Sequence, residues 1–236
     1  MHSLLKTFLA LGIALTGVQA LAHGDVTPQP VDTAALPDLE EDWPEENPYR
    51  EAGGAVYAKS IEIGASGYNQ NCARCHGLEV VSGGLAPDLR YLSADWEGDE
   101  WYVERFTNGY SQNGVTKMPA FADLLGAKAA WAIRSYVETR PDDGALDPFA
   151  DRLGEIRDDL KAKDTALSDD AGYAAVEEDI AALRAELDEI AGQVESGSGA
   201  EVADSAASRA VTMLDGTPDG VRKAAETLTI GLSAAE

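Results

Sequence analysis

Cysteine is nearly absent from this sequence. Two cysteines occur in 236 residues, Cys72 and Cys75, and only two residues separate them. Cysteines this close cannot link distant parts of a chain, which excludes the class of small exported domains stabilised by disulfides. We therefore expect stability to come from buried apolar surface or from a bound cofactor.

Basic residues are also scarce. The chain has 18 Lys and Arg side chains against 42 Asp and Glu, a formal net charge of −24. Nucleic-acid binding depends on clustered Lys and Arg that release counterions from phosphates, and no such cluster occurs here. The same charge disfavours docking on anionic lipid, and it favours partners with basic or neutral surfaces.

A long apolar run occurs once, near the N-terminus. Residues 1–22 combine a basic residue, the apolar stretch Phe8–Val18 and the small residues Ala20 and Ala22, a pattern typical of a secretory signal peptide. A retained membrane anchor is the alternative, but the stretch is shorter than the roughly 20 residues that a spanning helix needs. We expect cleavage before His23, export to the periplasm and a mature protein without a membrane anchor.

The composition of the mature chain changes along its length. Aromatic residues concentrate in the middle, a Pro-Asp-Asp-Gly turn follows them, and the last part is rich in Ala, Asp and Glu. We expect Trp43 and Tyr49, which precede the middle part, to contact it. We predict four divisions: an extended Pro-rich acidic arm (23–54), a core-forming domain (55–140), a linker (141–150) and an acidic helical C-terminal extension (151–236).

The string Cys72-Ala73-Arg74-Cys75-His76 carries the clearest chemical signal. Two thiols at this spacing add across the two vinyl groups of a haem, and the histidine that follows can bind the iron through Nε2. A thioredoxin-like redox pair would need a βαβ context, and half of a zinc site would need a second pair of ligands; the mature chain supplies neither. We predict one haem c, held by two thioethers.

Met118 is the predicted sixth ligand of the iron. It is the only methionine between the predicted cleavage site and the C-terminal extension, where Met213 lies. A thioether opposite an imidazole suits both oxidation states of iron and raises the reduction potential. The alternative, a core-filling methionine, is weaker because Pro119 and a Gly-containing polar segment flank Met118.

Two helices are predicted around these ligands. Gly64, Tyr68 and Cys72 recur every four residues, so they share one face of a helix that leads into the motif. Apolar residues at helical spacing predict a second helix over Leu124–Thr139, which Pro141 follows. Because glycine lets backbones approach closely, we expect the two helices to cross at Gly64.

In these features the sequence resembles the class I cytochromes c. Within them, it is similar to the periplasmic cytochromes that accept electrons from pyrroloquinoline-quinone (PQQ)-dependent alcohol dehydrogenases. The resemblance covers about residues 1–140. The segments that carry it are Ala22–Pro28, Glu46–Arg50, the run from Gly64 through Tyr68 to Gly77, Ala86–Leu89 and Lys117–Phe121.

The resemblance implies an all-α class I cytochrome c fold around a covalently bound haem. It implies that His76 and Met118 ligate the iron, and that the backbone carbonyl of Pro87 orients His76 through its Nδ1 proton. The implied function is a one-electron carrier, not an enzyme, between a PQQ-dependent alcohol dehydrogenase and the respiratory chain, through a terminal oxidase or another cytochrome. Two features depart from the family: the acidic, Trp-rich segment Ser93–Glu104, and the C-terminal extension.

The C-terminal extension has a heptad-like apolar pattern from Val176 to Val194, and a shorter one from Leu153 to Leu160. We predict two helices folded back as a hairpin or coiled-coil-like pair, followed by weaker helical pieces. Burial of the apolar stripe within the hairpin is favoured over self-association or an unknown partner. Since both predicted ligands precede the extension, we expect it to be dispensable for haem binding and electron transfer.

Two other functions are compatible with the residues. One is a haem-based ligand-binding or sensor protein with an openable sixth iron site, which the Met118-Pro119 pair disfavours. The other is a helical scaffold, which the complete haem motif disfavours.

Overall fold

The computed structural model describes residues 28–167 and 170–233. The predicted signal peptide, residues 1–22, lies outside the described residues. The described residues form nine α-helices and one two-stranded antiparallel sheet, which confirms the predicted all-α class. Within this part of the chain, none of the helices combines the length and the apolar character that crossing a bilayer requires.

The first half of the fold consists of four helices and a β-hairpin. The elements are α1 (Gly54–Asn71), α2 (Ala73–His76), α3 (Trp96–Asn108), β1 (Tyr110–Gln112), β2 (Val115–Met118) and α4 (Ala122–Glu138), with short 3-10 helices at Leu78–Val80 and Leu89–Tyr91. The hairpin turn is Asn113-Gly114, and both residues have positive φ, 53° and 75°. Asn-Gly is the preferred sequence for a two-residue turn of this conformation.

Helices α1 and α4 cross at Gly64. A methyl group on Gly64 would lie 1.9 Å from the carbonyl oxygen of Ala132, so only glycine permits this approach. The predicted crossing is confirmed, and α4 begins two residues before the predicted start at Leu124. The crossing places the last turn of α1, which leads into the haem motif, in a fixed position relative to α4.

Substitution of Gly64 by alanine is expected to destabilise the protein by about 3 kcal/mol, because the new methyl group meets backbone that cannot rotate away. Chemical denaturation of the full-length protein measures this loss. Gly54→Ala is the matched control: it lies on the same helix, and a methyl group there has no atom within 4 Å. We expect Gly54→Ala to be neutral or to stabilise by up to about 1 kcal/mol. Equal stability of the two variants would contradict the crossing.

Residues 28–53, the described part of the predicted arm, form no helix or strand. A few of their side chains nevertheless belong to the core. Tyr49 is only 1% exposed and packs in one apolar cluster with Trp131. The ring centroid of Trp43 lies 6.2 Å from that of Phe106. The arm therefore covers apolar surface of α3 and α4.

A buried network of charges joins the arm to the same two helices. Asp99 of α3 and Glu138 of α4 are completely buried. Arg50 donates to both oxygens of Asp99, at 2.7 and 2.8 Å, and to Glu138 at 2.7 Å, while Arg134 donates to Asp99 at 2.8 Å. Removal of one partner from such a pair costs about 3–5 kcal/mol, because the other charge is left buried. One carboxylate of the acidic segment Ser93–Glu104 is thus structural and not part of the surface.

The C-terminal extension forms a separate bundle of helices with its own apolar core. Its helices are α5 (Ala150–Ala166), α6 (Asp170–Ala174), α7 (Glu177–Ala191), α8 (Ala206–Met213) and α9 (Pro218–Ser233). The predicted apolar stripe is buried here: Leu153 and Leu187 are 0% exposed. The stripe therefore faces other helices of the extension.

The predicted helical hairpin is present, but it is only one part of the bundle. Helices α5 and α7 run antiparallel, with ion pairs Arg152–Glu186 at 2.5 Å and Lys163–Asp179 at 2.6 Å. The most extensive backbone packing, however, joins α5 to α9 and α8 to α9. Buried alanines on α8 and α9 allow this approach, and a heptad search for large apolar residues does not detect them.

Candidate functional site

The two cysteines lie on a single helical turn. Helix α1 ends at Asn71, and the backbone N–H groups of Cys75 and His76 both donate to the carbonyl oxygen of Cys72, each at 3.0 Å. Residues three apart on a helix share a face, so both thiols project on the same side. The thiols are not bonded to each other; Cys72 is half-buried and Cys75 is exposed. Burial raises the pKa of the Cys72 thiol to about 12.

His76 has a defined orientation. Its Nδ1 lies 2.9 Å from the carbonyl oxygen of Pro87. Because a carbonyl only accepts hydrogen bonds, the Nδ1 atom carries the proton and Nε2 keeps its lone pair. Burial lowers the pKa of His76, although the Pro87 carbonyl and the Asp88 carboxylate act in the opposite direction. The imidazole is therefore held neutral, the form that binds a metal.

The loop after His76 has an unusual backbone. Gly77 has a φ of 87°, and a methyl group there would lie 1.8 Å from the carbonyl oxygen of Val81. Glu79 and Val80 also have positive φ, 53° and 67°, although neither is glycine. Val80 is β-branched and completely buried, so its conformation is maintained by packing. The hydroxyl of Tyr68 donates to the carbonyl oxygen of Gly77 at 2.9 Å and so links α1 to this loop.

Met118 is the last residue of β2 and pairs with Tyr110 across the hairpin. The Gly-containing polar segment that flanks Met118 forms a short β-hairpin in the structure. Gly109, with a φ of 67°, approaches the Met118 backbone so closely that a methyl group on it would lie 2.5 Å from the Met118 carbonyl oxygen. Sequence reasoning missed Gly109. The available signal was its place directly after a helix, where glycine is common.

The structure brings most of the predicted site residues together. Cys72 and Met118 pack against the same apolar cluster, which includes Tyr68 of α1 and Phe121 of α4's N-terminal end. His76 contacts Pro87 as described, and Cys75 remains at the surface. The residues are thus two free thiols on one face, a neutral imidazole with an available Nε2 and a thioether beside a shared apolar core.

This set of residues fits a haem attached through two thioethers. A porphyrin is largely apolar, and aliphatic side chains are exposed next to both predicted ligands: Leu78, Val81 and Leu85 after His76, and Val115 before Met118. Exposed apolar side chains of this kind favour an apolar ligand or partner. The donors, an imidazole nitrogen and a thioether sulfur, suit iron that cycles between two oxidation states.

Known proteins match this chain in the part that contains the site. The family described as cytochrome c oxidase, cbb3-type, subunit III matches residues 59–137. Cytochrome c550 from Pseudomonas aeruginosa is 53% identical over 142 residues, which cover 58% of this chain and 94% of that protein.

Two enzymes match over a shorter stretch. The quinohemoprotein alcohol dehydrogenases ADH-IIG and ADH IIB from Pseudomonas putida are 37% and 33% identical over 84 residues. These matches cover 36% and 35% of this chain and 11% of each enzyme. No solved structure shows a significant match to the chain.

Proposed function

Given that the chain belongs to the cytochrome c family, whose members carry covalently bound haem c and transfer electrons, we propose that it accepts single electrons from a PQQ-dependent alcohol dehydrogenase and passes them to the respiratory chain. The chain is an electron-transfer protein and not an enzyme. The similarity to the quinohemoprotein alcohol dehydrogenases supports the choice of donor. The proposed acceptor is a terminal oxidase or another cytochrome.

The proposed roles of the site residues follow from their geometry. Cys72 and Cys75 hold the haem through two thioethers, and His76 binds the iron through Nε2. The carbonyl of Pro87 keeps the proton on Nδ1 and fixes the plane of the ring, the usual device for orienting a histidine ligand. When bound, haem supplies an iron that alternates between Fe(III) and Fe(II).

Met118 is the proposed sixth ligand. Pairing with Tyr110 across the hairpin and close contact with Gly109 hold the backbone of Met118 in place. This fixed position favours a permanently bound sixth ligand over a sensor site that opens. Ligand side chains held in place in this way would suit a carrier, because neither would have to move when an electron is transferred.

The proposed location is the periplasm. Residues 1–22 supply the expected signal peptide, and haem attachment through a Cys-x-x-Cys-His motif is compatible with export. A quinoprotein dehydrogenase in the same compartment would then meet this carrier by diffusion.

The proposed encounter with the dehydrogenase is steered by charge. The chain carries a net charge of −24, and α3 exposes Trp96 and Trp101 among acidic side chains. A negative surface attracts a basic or locally positive partner over distances set by the ionic strength.

The rate of reduction by a purified quinoprotein alcohol dehydrogenase is expected to fall as salt rises, because the Debye length shrinks from about 30 Å at 0.01 M to about 10 Å at 0.1 M. Stopped-flow measurement of haem reduction at several salt concentrations tests this. Reduction by a small neutral hydroquinone is the control, and its rate should stay constant. A rate with dehydrogenase that is flat or rises with salt would assign docking to an apolar surface, and no reduction by any such dehydrogenase would refute the proposed donor.

A further inference from the structure

The C-terminal extension is hydrogen-bonded to the end of α4. Three successive carbonyl groups at this end accept hydrogen bonds from a segment of the extension, residues 195–205, which we term the docking segment. The pairs are Ser198 Oγ to Glu138 O at 2.5 Å, Asp204 N to Thr139 O at 2.8 Å and Gly197 N to Arg140 O at 3.0 Å. The last carbonyls of a helix have no partner within the helix, so the docking segment caps α4.

The docking segment also contacts the loop between α2 and α3. The backbone N–H of Ala94 donates to the carbonyl oxygen of Ser198 at 3.1 Å. Gly197 lies against Arg90, where a methyl group would be 3.1 Å from the Arg90 carbonyl oxygen. The extension is therefore held by a specific surface of the first half of the fold.

A cluster of four charged side chains lies at the same interface. Arg140, which is only 1% exposed, donates to Glu79 at 2.9 Å and pairs with Asp204. Arg209 of α8 donates to Asp204 at 2.8 Å and to Glu79 at 3.3 Å. Burial acts to raise the pKa of Asp204, but the guanidinium groups of Arg140 and Arg209 outweigh it and hold this pKa below its usual value. Two positive and two negative charges thus balance across the interface.

Glu79 connects this cluster to the haem site. It lies three residues after His76, in the loop where Gly77, Glu79 and Val80 all have positive φ. Arg209 is the only arginine of the extension that the described contacts place on Glu79. A carboxylate near a haem favours Fe(III) over Fe(II), because the oxidised iron carries one more positive charge, and a guanidinium group beside it has the opposite effect.

We propose that the C-terminal extension is a tuning element of the haem: it delivers Arg209 to Glu79 and thereby raises the reduction potential of the carrier. Arg209 is a positioning residue in this proposal, since it acts through Glu79 and the loop after His76. The proposal replaces the expectation that the extension is dispensable for electron transfer. It rests on the proposed function as a haem-bearing carrier.

Equilibrium redox titration of the full-length haem-loaded protein tests the proposal. Arg209→Ala should lower the reduction potential, because Glu79 loses a compensating charge, and Arg209→Lys should recover most of the loss. Glu79→Gln should shift the potential in the opposite direction, upwards. Loosening of the interface alone would not shift the potential with opposite signs in the two variants.

Arg157→Ala is the matched control, since it removes the same charge from the extension, and Arg157 pairs with Asp158 of its own helix α5. Its potential should stay at the parent value. An Arg209→Ala shift no larger than that of Arg157→Ala, or shifts of the same sign for Arg209→Ala and Glu79→Gln, would overturn the proposal. The titration uses chemical mediators and no dehydrogenase, so failure of the proposed donor would not affect it.

Discussion

Serine at both Cys72 and Cys75 is expected to abolish covalent haem attachment completely. The two thiols lie on one face of the helical turn that begins at Cys72 and continues through α2, and no other cysteine exists to replace them. The haem would then be removed by acid–acetone extraction, whereas it stays on the parent polypeptide. We also expect loss of folded structure, because the haem would add apolar contacts beside the cluster that Cys72 and Met118 pack against.

Single variants serve as the control for this experiment. Cys72→Ser and Cys75→Ser each keep one thiol, so each should retain some haem through a single thioether. Both the extraction and far-UV circular dichroism are applied to all three variants. Recovery of folded, haem-free parent protein from a host with haem-attachment machinery would contradict the prediction.

Alanine at Met118 is expected to open the sixth coordination position of the iron. The ferrous protein should then bind carbon monoxide readily, and the ferric spectrum should lose its sulfur-to-iron charge-transfer band. The reduction potential should fall by on the order of 100 mV, since axial ligands change haem potentials over roughly 0.8 V. Optical spectroscopy and redox titration measure these effects.

Met213→Ala is the matched control for Met118→Ala. Met213 ends α8 and packs against the core of the C-terminal extension, so its removal should leave the ferric spectrum unchanged. If instead Met118→Ala keeps the parent spectrum and Met213→Ala changes it, the ligand assignment is wrong.

The haem-binding chemistry of this protein could be predicted from local sequence alone. The Cys72–His76 string places two thiols and an imidazole within one helical turn, so their spacing in sequence fixes their relative positions in space. The Gly64 crossing could be predicted for a similar reason, because a glycine on an apolar helical face predicts close approach of a second helix. The contact of Pro87 with His76 came from the resemblance to class I cytochromes c and not from a local pattern.

The regions that sequence reasoning described incompletely depend on contacts between distant residues. The arm shows no periodicity, yet Arg50 pairs with Asp99 and Glu138, which are 49 and 88 residues away. Composition does not predict an ion pair of this kind, because a charged side chain is expected to be exposed unless its partner is known. The buried alanines of α8 and α9 were missed because small residues carry little weight in an apolar pattern.

The sequence by itself thus determined the cofactor and the helix crossing, through the local Cys72–His76 and Gly64–Cys72 patterns, and the fold class, through the family resemblance. Only the tertiary structure decided that the C-terminal extension caps α4 and brings Arg209 to Glu79, a residue 130 positions earlier. The physical reason is that a helix end and a charged side chain can be satisfied by many partners, water included. Which partner is chosen depends on the packing of the whole chain.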